Sequence, residues 1–250
     1  MDSEVIIHAT TNFKDPQASI EVKNLSKAYE DKVILNKVSF SVKTGETIAV
    51  VGPSGTGKST LLKIISGLEI QDSGETKLRD ENIGMVFQYS ALLNSYTIGE
   101  NIAFALHDSD LSEEEKEKLI REKLDVVGLE DYYDALPDKL SGGQQKRASF
   151  ARAVVNDPKI VLYDEPTAGL DPITSTIIED YMNKLSRCEN TTGVVVTHQH
   201  STIRRTADKV ICLFKGDIVW AGRIEDVDTD DNPFIRQFMD GKTVGPFTSN

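Results

Sequence analysis

Gly52-Pro-Ser-Gly-Thr-Gly-Lys-Ser-Thr60 fills every fixed position of G-x-x-x-x-G-K-[ST]. The context agrees. ETIAVVG (Glu46–Gly52) reads as a buried strand ending in glycine, and STLLKIISGL (Ser59–Leu68) reads as a helix with apolar residues at 61, 62, 64, 65 and 68. A strand, a glycine-rich turn and a helix in that order form a phosphate loop. Gly52, Gly55 and Gly57 let the backbone N–H groups of Gly52, Pro53, Ser54, Gly55, Thr56, Gly57, Lys58, Ser59 and Thr60 (the proline excepted) surround phosphate oxygens. Lys58 is placed to reach the β- and γ-phosphates, and Ser59 to ligate Mg²⁺.

A Mg²⁺–nucleotide site needs a carboxylate at the end of a neighbouring strand. KIVLYDE (Lys159–Glu165) supplies two. Asp164 fits the metal, and Glu165 fits the base that polarises an attacking water.

Working outward, Ile20 and Val22, then Val38, Phe40 and Val42, alternate with polar residues and predict amphipathic antiparallel strands. Ile83–Phe87 and GVVVTH (Gly193–His198) read as further strands. VICLFKGDIVWAG reads as a hairpin turning at Lys215-Gly216-Asp217. LSEEEKEKLIREKLDVVGL (Leu111–Leu129) is a helix with Ser112 and Glu115 as a capping box, and STIIEDYMNKLS (Ser175–Ser186) is another. Strands alternating with helices imply a mainly parallel core sheet. The fold class is therefore α/β, with an antiparallel β subdomain beside the core and a helical subdomain over about 88–155. Residues 1–18 read as a flexible arm, 19–225 as the main domain and 226–250 as a tail.

The 250 residues carry a net charge of -12, which opposes binding to nucleic-acid phosphates and to anionic lipid. Cys188 and Cys212 lack metal-ligand spacing and read as two reduced, buried thiols of a cytosolic compartment. No apolar run approaches the ~18 residues that span a bilayer. MDSEVIIHATTNFKDP is neither a secretory signal nor an Arg/Ser-rich transit peptide. Work at a membrane would therefore need a partner to hold the chain there.

LSGGQQKR (Leu140–Arg147) poses a separate question. A serine and two glycines opening a helix offer free N–H groups to an anion, yet this loop lacks the lysine and the preceding buried strand of a nucleotide site. It looks like half of one.

Taken in order over about residues 20–222, these motifs resemble the nucleotide-binding subunit of ABC transporters. Phe87-Gln88 resembles the Q-loop, Leu140–Gln144 the signature motif, Val161–Glu165 the Walker B strand, Ala168–Asp171 the D-loop, and Thr197-His198 the switch histidine. The resemblance implies a P-loop ATPase working as a two-fold homodimer with two ATP molecules sandwiched between the copies. Ser141, Gly142, Gly143 and Gln144 would then contact the nucleotide held by the other copy, and Asp171 would couple the two sites. The half site serves the neighbour's nucleotide. Gln88 would touch Mg²⁺ or the water and sense an integral membrane permease. His198 would hold the γ-phosphate, and Tyr29 would stack on adenine. Lys146 and Arg147 are expected to make salt bridges at the dimer or permease interface.

QYSALLNSYTIGENIAFAL, YDEPTAGLDPITSTIIEDY, VVVTHQHSTIRRTADKV and NPFIRQFMDGKTVGPF resemble one subgroup, the ATPases of Mce-type lipid transporters. The THQHST stretch and the tail are similar to its chloroplast and cyanobacterial branch. That resemblance implies phospholipid transport with an Mce-domain lipid-binding protein, and a tail that wraps the partner ATPase. The expected location is the cytoplasmic face of the inner (plasma) membrane, held through the permease; the alternative is the stromal face of the chloroplast inner envelope. Two other functions are weighed against this: an importer ATPase for another small solute, and a soluble ABC ATPase acting on nucleic acid or ribosomes.

Overall fold

The computed structural model describes residues 15–248. Its elements run β1 (Ala18–Tyr29), β2 (Lys32–Lys43), β3 (Thr47–Val51), α1 (Lys58–Ile65), β4 (Ser73–Leu78), β5 (Ile83–Val86), α2 (Ile98–Ala103), α3 (Glu113–Val126), α4 (Gly142–Val154), β6 (Ile160–Asp164), α5 (Pro172–Glu189), β7 (Thr192–Val196), α6 (His200–Thr206), β8 (Lys209–Phe214), β9 (Asp217–Arg223) and α7 (Pro233–Asp240).

Two sheets result. The larger has the order β5-β6-β7-β3-β8-β9, parallel except for the β8–β9 hairpin. The smaller is antiparallel, β2-β1-β4. This is the α/β arrangement expected, with β4 as an addition. Its sequence SGETKL is polar and only half-buried, so it gives no apolar alternation to read.

The central strands are buried on both faces, which explains their unbroken apolar runs. Successive side chains divide between two cores. Ala49, Val51, Val161, Tyr163, Val195, Val210 and Cys212 face a core shared with α2–α5. Ile48, Val50, Ile160, Leu162, Val194, Val196, Ile211 and Leu213 face one built with α1 and the antiparallel sheet. Phe150 on α4 ties the helical segment to the sheet, stacking 6.1 Å from Tyr163 and edge-on 5.8 Å from Tyr181. Burying one such side chain contributes about 1.5–3 kcal/mol.

Ends of elements follow local chemistry. Ser112 and Glu115 form the expected capping box. The hairpin turns on Lys215 and Gly216, both at positive φ. Helix α5 is longer than the sequence reading, because Asp171 caps it and Pro172 opens it.

The tail contains a helix that sequence reading missed. Asn232 caps α7 by accepting from Phe234 N, and Gly241 ends it in the left-handed region. Ile235 and Met239 enter the core with α2–α5, while Phe234 and Phe247 cluster on Phe214 of β8. Of the expected arm, residues 1–14 lie outside the described residues, and Ala18 is already a fully buried strand residue.

Candidate nucleotide-binding site

The phosphate loop leaves β3 at Gly52, whose φ is 136°. A Cβ there would lie 2.1 Å from the Leu213 carbonyl oxygen, so only glycine passes between β3 and β8. Gly57 (φ 98°) then caps α1, with the Ile34 carbonyl 2.8 Å from where a Cβ would stand. Lys58 Nζ donates to the carbonyls of Gly52 (2.8 Å) and Pro53 (2.7 Å), folding its ammonium back over the loop. Burial lowers its pKa; Glu165 and Asp164 oppose that shift.

Parallel pairing brings β3, β6, β7 and β5 to one edge. Ser59 Oγ donates to Asp164 Oδ1 at 3.1 Å. Burial pushes the Asp164 carboxyl above its ordinary range, against the pull of Ser59. Glu165 follows at a φ of 50°, and its N–H donates to Val196 O on β7 at 2.8 Å. That left-handed backbone turns its carboxylate toward the residues after β7. Oε1 lies 2.8 Å from His198 Nδ1, and Oε2 accepts from Thr197 Oγ1 at 3.2 Å. Gln88 sits two residues past β5, exposed at the same edge, where Val86 pairs beside Tyr163.

Tyr29 is half-exposed at the end of β1. Its Oη donates to Glu69 Oε2 at 3.0 Å, Lys27 sits 5.1 Å above its ring, and Thr60 adjoins the phenol. The ring is thus tethered beside the phosphate loop.

The other predicted residues sit apart. Among the described residues, no hydrogen bond or ion pair joins Ser141–Gln144 to Gly52–Thr60. Ser141 and Gln144 instead cap α4: Ser141 N donates to Gln144 Oε1 (2.8 Å) and Gln144 N to Ser141 Oγ (3.3 Å). Gly142 is exposed with open space around it, and Gly143 faces Leu170. Asp171 accepts from Ile173 N and Thr174 N, both at 3.0 Å. Lys146 and Arg147, expected to form interface salt bridges, bond to carbonyls of their own chain. Buried Lys146 donates to Ala168 O at 2.7 Å, and Arg147 donates to the carbonyls of Val127 and Gly128 at the end of α3. Both side chains clamp their own chain. The bonds of Thr197 to Glu165 and of Lys146 to Ala168 went unread because these partners are remote in sequence. Of the two thiols expected to be buried, Cys188 is exposed and Cys212 buried.

The oxygens of Ser59 and Asp164 suit a hard cation. Among the described residues no cluster of three His, Cys, Asp or Glu side chains exists to hold a softer metal. One carboxylate and one hydroxyl match Mg²⁺, which takes its remaining ligands from phosphate and water.

The sequence profile of the ABC transporter family matches residues 35–168. The chain belongs to the ABC transporter ATPases. Two solved structures of one ABC cassette overlay on this ATPase. One is a dimeric bacterial ABC transporter cassette, 34% identical, TM-score 0.78, covering 82% of this chain and 98% of that one. The other is a dimeric ATP-binding cassette in a post-hydrolysis state bound to ADP and phosphate, 33% identical, TM-score 0.77, with the same coverage. Among curated relatives, the ABC ATPase is 41% identical to the chloroplastic protein TRIGALACTOSYLDIACYLGLYCEROL 3 of Arabidopsis thaliana, over 93% of this chain and 76% of that protein. It is 36% identical to the probable sulfate/thiosulfate import ATP-binding protein CysA of Chlorella vulgaris, over 88% and 98%. It is also 36% identical to the methionine import ATP-binding protein MetN of Lactobacillus johnsonii, over 90% and 70%. No helix among the described residues is long and apolar enough to cross a membrane.

Proposed function

We propose that this ABC ATPase powers a lipid transporter, working as a homodimer on an integral membrane permease with an Mce-domain lipid-binding protein. The observation that carries the lipid reading is the 41% identity to the Arabidopsis protein whose name denotes a galactolipid, against 36% to relatives named for sulfate/thiosulfate and methionine import.

In this reading the N–H groups of Gly52–Thr60 and the Lys58 ammonium bind the β- and γ-phosphates of ATP. Tyr29 supports adenine. Ser59 and Asp164 would hold Mg²⁺, with Gln88 near it, and the bound ion would supply positive charge to the phosphate oxygens. Glu165, steadied by Thr197 and His198, accepts a proton from water as that oxygen bonds to the γ-phosphorus and the bond to the bridging oxygen breaks. ADP and phosphate are the products. His198 turns toward the γ-phosphate, and Ser141, Gly142, Gly143, Gln144 and Asp171 of a second copy complete the site. The proposed domains are a cassette at 19–225, with its helical part at 88–155, and an appended tail at 226–250. The tail's α7 packs on its own chain, and Val244 is an exposed apolar side chain of the tail that a hold on a second copy could use. The proposed location is the cytoplasmic face of the inner membrane, or the stromal face of the chloroplast inner envelope.

The test is a pulldown with tagged Glu165→Gln from detergent-solubilised native membranes in ATP, with partners identified by mass spectrometry. Recovery of an Mce-domain protein with its permease supports the lipid reading. A permease with another binding protein overturns the cargo. Recovery of no membrane partner overturns the transporter assignment.

A further inference from the structure

Behind Glu165 and His198 lies a buried polar chain that none of the motifs explains. Thr167 and Thr202 are fully buried and Glu179 is 1% exposed. Thr202 Oγ1 donates to Glu179 Oε1 at 2.7 Å and lies 2.8 Å from Thr167 Oγ1. Thr167 Oγ1 also lies 2.6 Å from Gln199 Oε1. Gln199 N donates to Thr197 Oγ1 at 3.1 Å, and Thr197 Oγ1 donates to Glu165 Oε2. At the outer end Arg205 Nε pairs with Glu179 Oε2 at 2.8 Å and Nη2 with Asp180 at 2.7 Å.

An ionised carboxylate only accepts hydrogen bonds. Glu179 therefore takes the single Thr202 proton, and the single Thr167 proton serves either the Thr202 oxygen or Gln199 Oε1. One buried charge fixes the direction of the hydroxyl at Thr202, next to Thr167. That chain crosses from α5 through α6 to two loops: the one after β6, carrying Glu165 and Asp171, and the one after β7, carrying His198. Lys146 holds the first loop from its other side, at Ala168 O. A buried charge is costly unless fully partnered. Arg205 and Thr202 supply its partners here, so the charge of Glu179 is satisfied.

We propose that Glu179 is a positioning residue: through Thr202, Thr167 and Gln199 it locks the loop bearing Glu165 and Asp171 in register with the loop bearing His198, so that both meet the γ-phosphate together. The inference rests on the roles proposed above for Glu165 and His198. Glu179 touches no reacting atom; it acts through the two loops.

The variants are Glu179→Gln, which keeps shape but offers N–H groups where an acceptor is needed, and Thr202→Val, which removes the hydroxyl at constant volume. Phosphate release by the full purified chain is measured against ATP concentration. Both variants are expected to lower kcat about 10- to 100-fold, with the KM for ATP within about twofold and Tm little changed. Thr202→Ser keeps the hydroxyl and is expected to recover the turnover lost in Thr202→Val. Wild-type kcat in Glu179→Gln and Thr202→Val overturns the proposal. So does a loss in Thr202→Ser equal to that in Thr202→Val. Should Glu179→Gln not fold, the Thr202 pair decides alone. Glu165→Gln run in parallel separates the two readings. If it retains turnover, the site assignment itself fails; if it is inactive while Glu179→Gln and Thr202→Val are normal, only the positioning role fails.

Discussion

His198 Nδ1 lies 2.8 Å from Glu165 Oε1, so the ring at the end of β7 and the carboxylate at the end of β6 hold each other across two strands. Thr197 takes the other carboxylate oxygen. Glu165→Gln keeps an oxygen for one of these contacts but cannot accept a proton from water. It is expected to bind ATP normally while turnover falls about 10²–10⁴-fold. Phosphate release and equilibrium ATP binding, measured on one preparation, check this; turnover near wild type sinks the role of base.

Lys58 spends its ammonium on two loop carbonyls, Gly52 O and Pro53 O. Binding exchanges those partners for phosphate oxygens and adds charge pairing. Lys58→Ala removes hydrogen bonds of the charged class, worth about 1.5–3 kcal/mol each. The expected result is a roughly 10- to 100-fold weaker ATP affinity. Titration with a fluorescent ATP analogue gives the number, and an unchanged affinity removes the lysine from the phosphate site.

Asp164 has its carboxyl pushed upward by burial. A carboxyl whose folded pKa exceeds its unfolded one costs the fold stability once it is ionised, and regains it as pH falls through the folded value. Around neutral pH the ligand-free chain bears that cost. Asp164→Asn removes it while keeping an acceptor for Ser59. Thermal unfolding in chelator should show Tm equal to or above wild type, and the further rise given by Mg²⁺ with ATP should disappear. A lower Tm in chelator contradicts the sign.

Gly52→Ala meets the Leu213 carbonyl at a φ of 136°. Neither backbone can yield without parting β3 from β8. Strain of at least about 1–3 kcal/mol is expected, seen as a lower Tm together with lost ATP binding. Gly142→Ala, at an exposed position with open space around it, should leave Tm unchanged.

Sequence carried the phosphate loop and the Asp164-Glu165 strand end because their chemistry sits on neighbouring residues. The parallel core was legible from apolar runs such as IVLYD and GVVVT. Three things were not. Strand β4 is polar and only half-buried, so no apolar alternation marks its pairing with β1. Helix α7 did carry its signals, Asn232, Pro233 and Gly241, but Pro and Gly in a short segment read equally as loop. The chain from Glu179 to Glu165 joins, at every link but that of Gln199 to Thr197, residues 23 or more apart, and nothing local marks a buried glutamate in YDEPTAGLDPITSTIIEDY. The left-handed backbone at Glu165 was likewise invisible, since it goes with an N–H bond to Val196, a residue remote in sequence.

The strand order places β3 between β7 and β8, with Thr47 beside Gly193 and Ile48 beside Lys209. Both neighbours come from the far end of the chain. A growing polypeptide thus displays its complete phosphate-loop sequence long before either flank of that strand has been made. Contacts so distant in sequence slow folding and are secured late. ATP can therefore reward only the finished sheet: in synthesis from the N-terminus, the ligand acts as a latch on a completed fold and cannot serve as a template for an incomplete one.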